Sequence, residues 1–162
     1  MPSSRIIFSI IFAICASLLG FGLYLEHAVG LEPCPLCIFQ RVAYIVIAVI
    51  SLLGAIHNPQ KLFARIYTGL ILIASLCGAG IAGRQIWLQH LPEDKIPECG
   101  PGLEYMLDAF PFTDALRMIL SGSGECAEVQ WTFLSFSIAE WSIVCFSALI
   151  IACLTMLFRQ KN

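Results

Sequence analysis

The chain has 162 residues, nine of them basic and eleven acidic, and its formal net charge is −2. Hydrophobic residues make up 59% of it and charged residues only 12%, whereas charged residues form about 25% of an ordinary soluble domain. This imbalance excludes an ordinary soluble globular protein, and the few basic residues form no patch that would bind nucleic acid. The length predicts a single domain, 1–162, and the composition places it in a membrane.

Four apolar blocks predict four transmembrane helices, because each is long enough to cross a hydrocarbon core of about 30 Å. The blocks cover residues 6–25, 38–56, 66–88 and 141–158. The first block could instead be a cleaved signal peptide, but it exceeds the usual length and ends without a small-residue cleavage pattern. The expected fold class is therefore an all-α membrane protein, a bundle of four transmembrane helices.

The charges between the blocks predict that both termini are cytoplasmic. Three short stretches contain basic residues and no acid: Arg5, Lys61 with Arg65, and Arg159 with Lys161. All the acidic residues lie on the opposite side of the blocks. Because positive residues collect in the cytoplasm, we expect two external loops, about 26–37 and 89–140.

The second external loop is long enough that some folded structure is expected in it. Apolar residues in 103–110 recur at helical spacing, and Pro111 ends that segment. Thr113 and Asp114 could cap a second short helix that runs through Leu120. These short helices could lie flat on the membrane surface or form a small cap on the bundle, and the sequence leaves both open.

The eight cysteines fall into two groups. Those inside the apolar blocks are expected to be packing residues: Cys15, Cys77, Cys145 and Cys153. The others lie in the external loops: Cys34, Cys37, Cys99 and Cys126. In a bacterium the external side would be an oxidising compartment, in which disulfides form and persist.

The external cysteines can form two bridges in three ways. Cys34 and Cys37 are close enough to pair locally, which leaves Cys99 with Cys126. That second bridge would close a loop of about 26 residues and contribute roughly 3 kcal/mol of stability, so a purely structural role stays open for it. A zinc site is disfavoured because the second two cysteines are far apart and the compartment is oxidising; no metal is expected.

The stretch "EPCPLCIFQR" predicts a redox pair where the second helix begins. A helix N-terminus stabilises a cysteine thiolate, and Pro35 suits the first position of a helix. Arg41 follows Cys37 by four residues and lies on the same helix face, although it could also simply extend to the membrane surface. A dithiol at the membrane edge can meet a soluble protein on one side and a lipid-soluble oxidant, such as a quinone, on the other.

These residues resemble the bacterial disulfide bond formation protein B (DsbB) family. The box "CPLCIFQR" at the start of the second helix is the most specific element, and "PECGPGLEYML" and "GSGECAE" are typical of the second external loop. The resemblance covers essentially the whole chain. It implies an enzyme of the bacterial cytoplasmic (inner) membrane that reoxidises a periplasmic thiol oxidase of the DsbA type and passes the electrons to ubiquinone or menaquinone.

The resemblance also implies a role for each external cysteine. Cys99 would be attacked by the partner's thiolate, and Cys126 would relay electrons toward Cys34. Cys37 would face the quinone, with Arg41 beside it. The stretch "SGSGE" before Cys126 would supply the flexible backbone that a moving cysteine needs.

Two further polar residues could each have one of two roles. Arg84 could assist the quinone site or anchor the third helix to lipid headgroups. His90 could assist proton transfer, because histidine titrates near neutral pH, or it could be a surface residue beside Trp87.

Two rival functions remain open at this point. One is a membrane thiol reductase like those of the vitamin K epoxide reductase family, although that family's C-x-x-C pair lies late in the chain. The other is a structural membrane subunit with two external disulfides.

Overall fold

A computed structural model describes residues 4–92, 94, 111–122 and 124–161. The four long helices are α1 Ser4–Val29, α2 Pro35–His57, α3 Lys61–Gln89 and, last in the chain, α6 Ile138–Lys161. The described residues between α3 and α6 form two short helices and a hairpin: α4 Phe112–Ser121, α5 Gly124–Ala127, β1 Thr132–Phe133 and β2 Phe136–Ser137.

The four long helices are each long and apolar enough to cross a membrane. Each contains one of the four apolar blocks, so the all-α membrane fold class is confirmed. The chain is a multi-pass membrane protein. The cytoplasmic location of the termini stays a prediction.

Local chemistry explains where α2 begins and ends. Cys34 is the N-cap residue and Pro35 the first helical residue, where the missing N–H of proline costs nothing. At the other end, Asn58 is in the left-handed conformation and donates its N–H to the Gly54 carbonyl. Pro59 follows, and it disfavours helical backbone at the residue before it. The chain therefore turns back at once into α3.

The bundle core lies between α1, α2, α3 and α6. The aromatic rings of Tyr44 and Phe146 stack with their centroids 4.3 Å apart, and Phe146 presses against Gly78, where a side chain would collide with the ring. Cys15 and Cys153 are fully buried in this core. Many large apolar residues of the same helices are exposed, as expected of surfaces that face lipid.

A second, smaller core covers the end of the bundle where α2 begins and α3 ends, which we call the cysteine end. Leu36, Leu88, Ile119 and Cys126 are buried there together with Cys34. Gly122, with φ of 83°, lies so close to Leu88 that a side chain would collide with it. Gly122, which follows α4, is thereby packed against α3.

The long loop differs from its prediction in two respects. Helix α4 begins at Phe112 after Pro111, and no side chain caps it, so the predicted cap by Thr113 and Asp114 is wrong. Both residues lie inside the first turn because the backbone bond from the Asp114 N–H to the Pro111 carbonyl already closes that turn. The helix predicted at 103–110 lies outside the described residues.

The hairpin of β1 and β2 was not predicted. Its register pairs Thr132 with Ser137 and Phe133 with Phe136, and its turn places Leu134 and Ser135 at positive φ. The indole N–H of Trp141 donates to the Phe133 carbonyl at 3.0 Å. This bond ties the hairpin to the first turn of α6.

Candidate redox site

The sulfur atoms of Cys34 and Cys37 lie side by side where α2 begins. They are 2.7 Å apart, and both residues are free cysteines in this structure. The backbone N–H of Cys37 donates to the Cys34 sulfur at 3.3 Å, which is the N-cap bond of the helix. A disulfide between them, about 2.05 Å long, therefore requires only a small movement of the side chains.

Cys126 brings a third thiol to the same place. It is fully buried on α5 and packs in the small core with Cys34. Its hydrogen bond with Cys34 raises the pKa of the Cys34 thiol far above its ordinary value, and the bond to Cys37 and burial act in the same direction. Cys34 is thus held as a neutral thiol in this arrangement.

The structure brings together three of the four predicted redox cysteines. Cys99, the fourth, lies outside the described residues. The pairing of Cys34 with Cys37 and of Cys99 with Cys126 stays a prediction. The close contact between Cys126 and Cys34 is independent of that pairing.

A buried amide reaches both sulfurs of the pair from α3. Gln85 donates its side-chain N–H to Cys37 Sγ at 3.2 Å and to Cys34 Sγ at 3.4 Å. Its carbonyl oxygen accepts a bond of 2.7 Å from the Gln40 amide of α2 and a longer one, 3.6 Å, from the Cys37 thiol. These two glutamines were not selected as site residues from the sequence, although both interrupt apolar blocks.

Arg41 points toward α1 rather than toward the sulfurs. Its guanidinium forms an ion pair with Glu26 and donates to the Gly22 carbonyl at 3.0 Å. Glu26 was also not selected from the sequence. The signal available was an acid at the end of one apolar block and a cation at the start of the next, but only the packing of α1 on α2 pairs them.

A cavity of about 540 Å³ opens beside the cysteine pair, within the usual range for small-molecule sites, about 300–1,000 Å³. Its polar lining includes Cys37, Arg41 and Gln85, and most of its remaining surface is apolar. Aromatic side chains frame one side: Trp131 contacts Phe21 edge-on, with 5.7 Å between ring centroids. The cavity therefore suits a flat apolar molecule with a few polar atoms.

Arg84 and His90 make their described contacts outside the lining of this cavity. Arg84 donates to the Ser121 carbonyl at 2.8 Å, and its guanidinium lies 4.2 Å from the Trp87 ring centroid. The His90 ring contacts the Ile86 carbonyl at 2.9 Å, where α3 ends. In the part of the chain that the structure describes, neither residue is among those that line the cavity.

Comparison with known proteins decides the family. The family model described as "Disulfide bond formation protein DsbB" matches residues 4–156. The chain belongs to the DsbB family. As a member of it, the protein is a membrane disulfide oxidoreductase that acts in disulfide bond formation.

Curated relatives named "Disulfide bond formation protein B" agree with this DsbB assignment. The protein of Aromatoleum aromaticum is 49% identical over 160 residues, which cover 99% of this chain and 96% of the relative. The protein of Azoarcus sp. is 49% identical over 157 residues, which cover 97% of this chain and 94% of the relative. The protein of Hahella chejuensis is 50% identical over 144 residues, which cover 89% of this chain and 87% of the relative. The similarity thus extends over nearly the full length of both chains.

Proposed function

We propose that this DsbB family member oxidises a periplasmic thiol oxidase of the DsbA type and passes the electrons to a membrane quinone. The observation that carries the proposal is the position of the cysteine pair. Cys34 and Cys37 both line a largely apolar cavity beside the long helices, and Cys34 also contacts Cys126 on the segment outside those helices. One dithiol thereby adjoins both an apolar compartment and a loop that a protein can approach.

The overall reaction conserves electrons and protons. The partner's dithiol becomes a disulfide and releases two electrons and two protons, and the quinone becomes a hydroquinone by taking up two of each. A thiol oxidase of the DsbA type is strongly oxidising, with a potential of about −120 mV. Its reoxidation therefore needs an acceptor of still higher potential, a role that a respiratory quinone can fill.

The cysteines would act in series. A partner thiolate attacks Cys99 in a Cys99–Cys126 disulfide, and the electron pair of the broken bond leaves on Cys126. The Cys126 thiolate attacks Cys34, which forms a Cys34–Cys126 disulfide and releases Cys37 as a thiolate. The second partner thiol releases Cys99, which then attacks Cys126, restores the first disulfide and frees Cys34.

The residues around the cavity fit a quinone ring. Apolar side chains of α1 and α6, among them Leu18 and Ile138, and the edge of Trp131 would hold its faces. Arg41 would donate to a ring oxygen. When bound, the quinone supplies a two-electron acceptor beside Cys37.

The charge pattern supports an orientation in which the cysteine end faces the periplasm. Arg5, Lys61 and Arg65 lie near the opposite end of the bundle, beside the start of α1 and the turn between α2 and α3. Positive residues collect in the cytoplasm. The protein would then span the bacterial inner membrane with its reactive cysteines outside the cytoplasm.

The test is turnover of the purified protein with a reduced DsbA-type oxidase and a soluble ubiquinone or menaquinone analogue. We expect one quinone to be consumed for each partner disulfide formed. A structural subunit with two external disulfides would leave both reactants unchanged. In a second assay, with hydroquinone and the oxidised partner, a reductase that passes electrons outward would reduce the partner. No reaction in the first assay, or net reduction of the partner in the second, would refute the proposal.

A further inference from the structure

Two glutamine side chains are buried beside the redox sulfurs. Gln40 is 4% exposed and Gln85 is 3% exposed. Burial of an amide costs free energy unless its N–H and C=O groups find partners. Their partners are each other and the two cysteines, so the pair forms one hydrogen-bonded unit with the redox centre.

Gln85 acts as a donor that both sulfurs share. Its amide nitrogen lies 3.2 Å from Cys37 Sγ and 3.4 Å from Cys34 Sγ. It comes from α3, whereas both cysteines belong to the start of α2. The contact therefore depends on the packing of the two helices and not on the local geometry of the C-x-x-C turn.

Gln40 fixes which end of the Gln85 amide faces the sulfurs. Its N–H donates to the Gln85 carbonyl oxygen at 2.7 Å, which turns the N–H groups of Gln85 toward the cysteines. The Gln85 carbonyl oxygen already lies 3.6 Å from Cys37 Sγ, which donates to it as a thiol. The reverse orientation would bring that oxygen to the shorter distances that the amide nitrogen now has from both sulfurs. In a disulfide neither sulfur carries a proton, so that oxygen would have no donor there.

We propose that Gln85 is a catalytic hydrogen-bond donor that stabilises the thiolate of Cys37, and that Gln40 is the residue that positions it. The proposal rests on the proposed function of the cysteine pair. When a thiolate attacks Cys34, the Cys34–Cys37 bond breaks and its electron pair remains on Cys37. Negative charge then develops on the sulfur to which Gln85 already donates, and such charge-assisted bonds are the strong ones.

Arg41 does not supply this stabilisation, because its described bonds go to Glu26 and the Gly22 carbonyl. The two sides of the cavity thereby have separate tasks. Gln85 acts on the sulfur that gives up electrons, and Arg41 acts on the oxygen of the acceptor. Substitutions at the two positions should therefore alter different kinetic constants.

The first test follows the alkylation of Cys37 as a function of pH, in reduced Cys34→Ser protein, by peptide-resolved mass spectrometry. A hydrogen bond to a charged group is typically strong enough to move such a profile by about one pH unit. Gln85→Met, which keeps the length but removes the N–H, should move it upward by that amount, with about tenfold slower alkylation below both midpoints. The charged groups at the cavity, Arg41, Glu32, Glu125 and Glu128, are the same in both proteins.

Further variants separate donation from mere packing. Gln85→Glu keeps the size and polarity but replaces the donor with a carboxylate, and it should shift the profile at least as far. Gln40→Met should give a smaller shift in the same direction. The double variant Gln40→Met/Gln85→Met should be no worse than Gln85→Met alone, because Gln40 acts only through Gln85.

Ser75→Ala is the matched control, since Ser75 is a fully buried polar residue of the same helix outside the cavity. Its alkylation profile should equal that of the parent. An unchanged profile in Gln85→Met, an equal shift in Ser75→Ala, or additive shifts in the double variant would overturn the proposal.

The second test is the kinetics of quinone reduction in the protein with all its cysteines. Gln85→Met should lower kcat about tenfold and leave the quinone KM unchanged, and a rise in KM alone would overturn the proposal. The alkylation test needs neither quinone nor partner protein. If the parent protein does not reduce quinone, the proposed function fails while the alkylation result still decides the role of Gln85.

Discussion

Three thiols meet where α2 begins, and their surroundings differ. Cys34 is buried between Cys37 and Cys126, whereas Cys37 is less buried and lies slightly closer to the Gln85 amide nitrogen, at 3.2 Å against 3.4 Å. An exchange between Cys126 and Cys34 needs little movement from this arrangement. The sulfur that such an exchange releases is that of Cys37, which lines the cavity.

The raised pKa of Cys34 predicts slow alkylation of reduced Cys34 at neutral pH. The folded state holds the neutral thiol, so its contribution to stability is complete below the ordinary cysteine pKa of about 8.5 and is lost as the pH rises above it. Cys126→Ala removes the largest cause and should move the alkylation profile of Cys34 to lower pH. Peptide-resolved mass spectrometry measures this alkylation profile as a function of pH. A profile that stays in place or moves to higher pH would show that Cys126 does not raise the pKa of Cys34.

Arg41 should act on the quinone and not on the partner protein. Arg41→Met removes a charged hydrogen-bond donor from the cavity and should raise the quinone KM about tenfold, with little change in the KM for the partner. Arg41→Lys should be intermediate, because lysine keeps the charge but not the planar fork. Initial rates measured against quinone concentration give the quinone KM of each variant, and rates measured against partner concentration give the KM for the partner. An unchanged quinone KM in Arg41→Met would reduce this arginine to an anchor of α2 on Glu26.

At the scale of the elements, the cysteine end depends on how the α4–α5 segment lies on the bundle. Gly122 joins the two helices at a φ of 83°, against the side chain of Leu88. Because Cys126 is only four residues further on, the fit of Gly122 on α3 controls where that thiol lies. The segment is thereby a structural part of the redox site.

Gly122→Ala should displace this segment and slow turnover with the protein partner. It combines an unfavourable backbone conformation with a collision with Leu88, and we expect a loss of stability of about 1–3 kcal/mol. Gly30→Ala is the matched control: Gly30 has a φ of 77° but open space around it, so only the backbone cost of roughly 1–2 kcal/mol applies. Thermal unfolding and partner turnover compare the two variants. Equal losses in both would show that the contact with Leu88 does not matter.

The elements also differ in how far the sequence predicts them. The long helices follow from uninterrupted apolar blocks and from Pro35 and Asn58 at the ends of α2. The hairpin does not, because Leu134 and Ser135 form its turn at positive φ, where glycine or asparagine is the usual signal. The contacts of Gln85 with Gln40 and the cysteines cannot be predicted from the sequence either, since these residues are 45 to 51 positions apart and meet only after α2 and α3 have packed.

At the scale of the whole molecule, the basic residues and the redox cysteines with their cavity lie at opposite ends of the helix bundle. The basic stretches lie near one end of the bundle, and the three described redox cysteines lie at the other. A protein partner and a quinone would then reach the same dithiol from the water and from the lipid. The charge pattern alone predicts which end of the bundle faces the cytoplasm.

Lys61 and Arg65 should be cytoplasmic, and Cys126 should lie on the periplasmic side. Single cysteines introduced at Lys61 or at Glu128, in a chain without other reactive thiols, can be probed with a membrane-impermeant thiol reagent. In intact spheroplasts we expect modification at position 128 and none at position 61, because positive residues remain in the cytoplasm. The reverse pattern would invert the topology.

The path of the electrons through the molecule is the central claim, and Cys99→Ser tests it most directly. This variant lacks the cysteine that the partner would attack but keeps Cys34 and Cys37 beside the cavity. Hydroquinone formation should be lost when a DsbA-type protein is the electron donor and retained when a small dithiol reduces the Cys34–Cys37 pair. Retained turnover with the protein donor, or loss of turnover with both donors, would contradict the account.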